Sequence, residues 1–246
     1  MGPGGQSGDS GAAAVLPSAH MGASVRRRPP SAEVRARAVE IIDRLEREMP
    51  DAKIALEFGS DIELLVSVVL SAQSTDVGVN KVTPALFAAH PDAAAYARAR
   101  PEDLWPFIRS LGLYRNKARA IVATMAAIGE RHGGRVPRER AALEALPGVG
   151  RKTAGVVLVH LGAAQAFPVD THVGRVARRL GLTREEDPDK VERDLMARVP
   201  EPRWGRGHQL LVWHGRRTCA ARAPACSRCV LDDLCPKRSV PPAIRR

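Results

Sequence analysis

Aromatic residues are scarce: they make up 4% of the 246 positions, with three Trp, two Tyr and four Phe. A site built mainly from stacked rings is therefore not expected. Long apolar runs are missing too. The stretch Leu64 to Leu70 is far short of the roughly 20 residues needed to cross a bilayer. Ala12 to Leu16 is too short for a secretory core, and no charged segment precedes it. The expectation is a chain with no membrane contact and a cytoplasmic location. Acidic residues are outnumbered, 27 Asp and Glu against 38 Lys and Arg, for a net charge of +11. So basic a chain points to a polyanionic partner, with nucleic acid the first candidate. Cysteines number only four. In a reducing compartment they point to a metal or a cluster rather than to disulfides.

Residues 1–30 are rich in Gly, Ser, Ala and Pro and end in Arg26-Arg27-Arg28-Pro29-Pro30, which reads as a flexible basic tail. Met21 is an alternative start. Beyond the tail the pattern is helical. Val34, Ala38, Ile41, Ile42 and Leu45 recur at helix spacing, and Pro50 ends the run. Ser60 and Glu63 read as a capping box ahead of a buried helix over 64–70. Further helices are expected at about 77–89, 92–99, 101–110, 117–131, 138–145, 151–161, 171–180, 187–199 and 201–218. Pro or Gly punctuates most of the gaps. With no convincing strand and no fixed repeat, the expected class is all-α.

Leu146-Pro147-Gly148-Val149-Gly150 separates two helical patterns and runs into Arg151-Lys152-Thr153-Ala154-Gly155. Gly148 and Gly150 let the backbone bend and approach a ligand. The free N–H groups and dipole of the second helix, beginning near Arg151, can then hold a phosphate without reading sequence. Leu146 and Val149 are expected to wedge between the helices. The plain alternative is a structural corner with a glycine turn.

Lys152 falls in the first turn of that second helix, where a cation is disfavoured, and Arg151 adds a like charge. Both effects are expected to favour a neutral amine, the form that attacks as a nucleophile. From position alone, a phosphate-binding lysine fits equally well. Downstream, Asp170 in Phe167-Pro168-Val169-Asp170-Thr171 precedes a helix and is a natural N-cap. A capping carboxylate is also a fixed negative charge, able to stabilise a cationic sugar.

Cys219, Cys226, Cys229 and Cys235 have the spacing C-x6-C-x2-C-x5-C. Four-thiolate ligation suits either tetrahedral zinc or an iron–sulfur cluster. The loop between them is basic, with Arg222 and Arg228.

From Ser31 to Arg238, the hairpin, the Gly- and Pro-bearing loop, the aspartate and the cysteine spacing together resemble the helix-hairpin-helix superfamily of base-excision DNA glycosylases, and within it the endonuclease III family. The resemblance implies that Lys152 attacks C1′ of a damaged pyrimidine nucleotide, with Asp170 assisting, and that β-elimination then cuts the strand 3′ to the abasic sugar. It implies a [4Fe-4S] cluster on the four cysteines, shaping a DNA-binding loop, and a monovalent cation on the hairpin carbonyls. The partner implied is damaged double-stranded DNA, met by a monomer. Such an enzyme turns its target base out and fills the hole. In Ser71-Ala72-Gln73-Ser74-Thr75-Asp76 the resemblance makes Gln73 the plug and Asp76 a pocket residue. In Leu111-Gly112-Leu113-Tyr114 it makes Leu113 the wedge. Gly148, Gly150, Arg151, Arg222 and Arg228 complete the expected DNA contacts. The architecture implied is two helical domains, residues 54–164 and residues 31–53 with 165–240, flanking a DNA-binding cleft.

Two rivals remain at this point. The adenine-mispair branch shares hairpin, aspartate and cluster, and Gly155 leans that way because endonuclease III proteins usually carry Asn there. Against it stand Lys152, the lack of that branch's catalytic glutamate after the buried helix, and too little chain after Cys235 for a mismatch-sensing domain. The other rival is a non-catalytic module that grips phosphates only.

Overall fold

The computed structural model describes Met1 and residues 29–163 and 166–240. The expected basic tail therefore lies outside the described residues, apart from Met1, Pro29 and Pro30. Among the described residues there are eleven α-helices and no strand, as the all-α expectation requires.

Helix α1 (Ala32–Glu48) starts behind Ser31, whose side chain accepts the Val34 N–H, and it buries Ala38, Ile41, Ile42 and Leu45. Val34, expected on the same stripe, is exposed. Helix α2 (Asp61–Ser71) buries every residue from Leu64 to Leu70. Ser60 caps it by accepting the Glu63 N–H at 3.2 Å. The Glu63 carboxylate, however, accepts from the Gly59 N–H, at 2.5 Å. The reciprocal half of the capping box thus reaches one residue further back than the sequence pattern implied. Next come α3 (Asp76–Ala89), α4 (Ala93–Arg98), α5 (Pro101–Ile108), α6 (Tyr114–His132), α7 (Arg140–Glu144) and α8 (Arg151–Leu161). The chain continues through α9 (Thr171–Arg179), α10 (Pro188–Arg198) and α11 (Trp204–Arg217). The segment expected as one helix over 201–218 opens instead with a 3-10 turn at Glu201–Arg203. Pro202, which has no N–H to give, sits inside that turn.

Apolar burial divides into two cores. One gathers residues from Leu56 to Leu158, on α2 to α8 and on the loops before and between them. The other takes Ala38 to Ala52 from the N-terminal side and Phe167 to Leu231 from the C-terminal side. The chain therefore leaves the second core after α1, builds the first, and returns. Arg206 of α11 clamps the two distant parts of the second core together. It holds both Glu46 carboxylate oxygens at 2.7 Å and donates to the carbonyls of Met49 and Pro50. Such a bidentate pair fixes geometry as well as adding energy.

Polar ties bridge the cores. The Glu192 side chain of α10 is only 5% exposed and meets Arg151 at 2.7 Å and Arg140 at 3.2 Å. Arg216 of α11 reaches Asp76 of α3 at 2.7 Å. These bonds hold the cores at the separation that leaves a cavity between them.

Candidate active site and cysteine loop

The turn between α7 and α8 is packed from beneath and open above. Leu146 and Val149 are buried, and the Val149 N–H closes the turn on the Leu146 carbonyl at 3.1 Å. Thr124 of α6 donates its hydroxyl to the Pro147 carbonyl. Gly148 has φ +78°, and a Cβ there would sit 2.7 Å from Cβ of Ala120. Only glycine meets both the left-handed backbone and the close approach. Gly150 is the N-cap of α8 and brings no side chain to it. A Cβ at that position would meet nothing within 4 Å. The first N–H groups of α8 thus have no capping side chain of their own.

Lys152, in the first turn of α8, is exposed. It lines a cavity of about 150 Å³ together with Asp170, Asp76, His208 and Arg216. The lysine and the two aspartates singled out in the sequence are therefore neighbours in one cavity between the cores. Asp170 caps α9, accepting the Val173 N–H at 2.8 Å. That bond replaces part of the solvation the carboxylate loses in its half-buried position and fixes its orientation.

Two contacts set the loop that carries Asp170. His208 of α11 is buried, and its Nδ1 lies 2.8 Å from the Pro168 carbonyl. Burial pushes the imidazole pKa down to about 4, so the ring is neutral and its Nδ1–H donates to that carbonyl. On the other side, Gly155 of α8 lies against the Pro168 ring.

Arg151 does not stand free beside Lys152. Its Nε sits 2.7 Å from Glu192 and 3.2 Å from Asp189. Two carboxylates thus offset its charge, and the like-charge push expected on Lys152 is correspondingly weakened. Arg222 and Arg228 are exposed on the cysteine loop.

Gln73 and Leu113 come together from separate loops. Both are exposed and both hold left-handed backbone, φ +52° and +58°. A Cβ on Gly112 would sit 3.6 Å from the Gln73 carbonyl, which places the loops side by side. Beneath them Lys117 is only 4% exposed and donates to the Ser74 hydroxyl at 2.6 Å. Burial lowers its pKa. Left-handed non-glycine residues cost about 1–3 kcal/mol each, and such strain gathers at functional sites.

The four cysteine thiols are free and border one recess with Arg179 and His214. Among the described residues no three His, Cys, Asp or Glu side chains converge as a single ion requires. Tetrahedral zinc needs all its sulfurs about 2.3 Å from one point. Four sulfurs bordering one recess supply the thiolate count of either site. The surroundings also suit thiolates. Arg179 donates to the Cys219 sulfur at 3.3 Å, the Leu231 N–H to that of Cys229 at 3.4 Å and the Lys237 N–H to that of Cys235 at 3.3 Å. Burial works the other way at Cys229, pushing its thiol up to about 11, so a thiolate there needs a bound cation to offset its charge. The residues fit a four-thiolate iron–sulfur cluster.

Sequence reasoning did not single out Arg216, His208 or Lys117. Arg216 and His208 lie on α11, far along the chain from Asp76 and Lys152, and no local motif links them. Lys117 reads as one more solvated helix cation until its burial is seen.

Residues 66–201 match the family model of the HhH-GPD superfamily base excision DNA repair protein. Endonuclease III of Synechocystis sp. is 46% identical over 206 residues, spanning 83% of this chain and 94% of the relative. Endonuclease III of Escherichia coli is 43% identical over 201 residues, spanning 82% and 95%. A solved structure of a trapped endonuclease III–DNA covalent intermediate, an estranged-adenine complex, superposes with a TM-score of 0.79. It is 42% identical and covers 82% of this chain and 96% of its own.

Proposed function

Because the chain belongs to the HhH-GPD superfamily of base excision DNA repair proteins, and within it to the endonuclease III family, we propose that it removes oxidised pyrimidines from duplex DNA through Lys152 and then cuts the strand 3′ to the vacated sugar. The observation that carries this reading is the shared cavity. An exposed lysine amine and a fixed carboxylate face one space between two cores, beside a hairpin with open N–H groups.

The steps follow from those groups. The free amine of Lys152 attacks C1′ as the C1′–N1 bond breaks, and the base takes the electron pair. Asp170 stabilises the positive charge on the sugar and accepts the proton lost by the attacking nitrogen. Opening of the sugar ring gives an imine. Loss of a C2′ proton then expels the 3′ phosphate by β-elimination, and water releases the lysine.

Duplex DNA lies in the groove between two domains, residues 54–164 and residues 31–53 with 165–240. The α8 N-terminus, through Gly148 and Gly150, holds a backbone phosphate, and the hairpin carbonyls seat a monovalent cation beside it. Gln73 fills the space left by the extruded base and Leu113 acts as the apolar wedge beside it. Arg222 and Arg228 follow the backbone from the cysteine loop, while Arg151 chiefly anchors the hairpin to α10. A [4Fe-4S] cluster on Cys219, Cys226, Cys229 and Cys235, when bound, supplies the cross-link that shapes that loop. Metal analysis finding zinc in place of iron and sulfide excludes it.

The test of the reading is borohydride trapping on a duplex with a ring-saturated pyrimidine. The wild-type chain forms a covalent protein–DNA adduct and Lys152→Ala forms none. Trapping by Lys152→Ala at the wild-type level removes the lysine from its role.

A further inference from the structure

Most polar groups of the cavity have a task. Lys152 and Asp170 face the sugar chemistry, His208 holds the Pro168 carbonyl, and the Gln209 amide lies 3.1 Å from His160 Nε2. Asp76 and Arg216 are tied to each other across the cores, and the resemblance gives Asp76 a place in the pocket without saying what it does there. Asp76 is not the cap of α3, because Thr75 takes that place by accepting the Gly78 N–H. Arg216 is not spent on backbone carbonyls, unlike Arg175 and Arg179 nearby, which hold the Cys219 carbonyl.

The two residues meet across the cores through one contact, the Arg216 Nη2 to the Asp76 Oδ2 at 2.7 Å. That contact leaves the second carboxylate oxygen and most of the five guanidinium N–H donors uncommitted among the described residues. The guanidinium also lies over the Trp213 ring, 5.5 Å from its centroid, a cation–π contact that limits where its plane can turn. Both residues line the cavity with Lys152 and Asp170.

We propose that Arg216 and Asp76 read the imide edge of the extruded base, and that Arg216 stabilises the negative charge the base carries away as its bond to the sugar breaks. The proposal rests on the reading above that Lys152 attacks C1′ of a nucleotide held in this cavity.

An acceptor beside a planar donor fork complements the C=O and N3–H groups of a thymine- or uracil-derived ring. The carboxylate accepts the N3–H and the guanidinium donates to a carbonyl oxygen. When the Lys152 nitrogen bonds to C1′, the C1′–N1 pair moves onto N1 and spreads to O2. A guanidinium does not give up its proton in a protein. Arg216 therefore acts by charge and hydrogen bonding, and the departing base takes its proton from water. Such a donor is worth most in a cavity that excludes solvent, where it is already in place as charge develops. The substrate class selected is an oxidised or ring-saturated pyrimidine that keeps its imide. Ring saturation is tolerated, because the edge that is read does not include C5 or C6.

The experiment compares Arg216→Gln with the wild-type chain on three duplexes, containing dihydrouracil, 5-hydroxyuracil or a preformed abasic site. Base release from dihydrouracil is expected to fall about 100-fold, the scale for loss of one such donor. The loss on 5-hydroxyuracil is smaller, because its anion is delocalised through the intact C5=C6 bond and needs less help. Abasic-site incision, with no base to release, falls at least tenfold less than dihydrouracil release. Arg216→Lys keeps the pairing charge and the tie to Asp76 but not the fork, and gives an intermediate loss that follows the same order of substrates. Equal losses on all three duplexes, in either variant, overturn the proposal and leave Arg216 a tie between cores. No loss on any duplex overturns it too. Failure of the wild-type chain to incise the abasic duplex would instead overturn the lysine reading on which it rests.

Discussion

Gly155 of α8 packs against Pro168, two residues before Asp170: a Cβ on Gly155 would lie 3.2 Å from the proline Cγ and 3.6 Å from its Cβ. The absence of a side chain at position 155 thus sets how closely the helix carrying Lys152 approaches the loop carrying Asp170.

For Gly155→Ala, the gain in helix propensity of about 1 kcal/mol offsets the strain of moving Pro168 by a few tenths of an ångström. Chemical denaturation should place it within about 1 kcal/mol of wild type. Gly155→Asn must displace the loop further and is expected to cost about 1–3 kcal/mol. Its kcat for base release should fall more than its KM changes, because the shift moves the carboxylate rather than the DNA grip.

Asp170 is both a cap and a charge, and Asp170→Asn separates the two. Asparagine caps as well as aspartate, so the melting midpoint should stay close to wild type. The charge is lost, and base release should fall about 10²–10³-fold. Asp170→Ala should lose the activity and in addition about 1 kcal/mol of stability. If Asp170→Asn keeps full activity, the residue is only a cap.

Leu113 is 53% exposed with φ +58°. Leu113→Gly gives up little packing and relieves a left-handed leucine, so thermal unfolding should show the variant no less stable than wild type, with a gain of up to about 1 kcal/mol. The same change removes the side chain proposed as the wedge. A fluorescent base analogue at the lesion should then report slower extrusion, a stability gain set against a functional loss.

His208 gives stability a pH dependence of known sign. Its imidazole sits near 4 in the fold against 6.5 for the ordinary group, with burial the leading cause. Asp170 opposes the shift, and Lys152 and His160 add to it. Between those values the unfolded chain binds the extra proton, so stability rises with pH there. The contribution is complete above about pH 6.5 and is lost as pH falls toward 4, amounting to about 3 kcal/mol. Denaturant midpoints measured at steps through this window should fall more steeply for wild type than for His208→Gln.

The helices were largely legible in the sequence because their signals are local. Ser31, Ser60, Asp92 and Asp170 all accept the N–H groups that a capping residue should. The hairpin was legible for the same reason, since the left-handed turn at Gly148 is local, although Gly150 takes ordinary extended backbone that any residue could adopt. Where local signals misled, a neighbour intervened: Glu63 bonded Gly59 rather than its cap, and Glu192 drew Arg151 away from its role as a like charge.

What the sequence determined alone was the all-helical class, the lysine at the head of a hairpin helix, the capping aspartate and the four grouped thiols. Tertiary structure decided that Lys152, Asp170 and Asp76 share one cavity, that Arg216 joins them from α11, and that Gln73 and Leu113 stand side by side. The division has a physical cause. Capping, periodicity and turn chemistry act over a few residues, whereas a cavity between two cores depends on where separate chain segments pack, and no short window of sequence holds both of its walls.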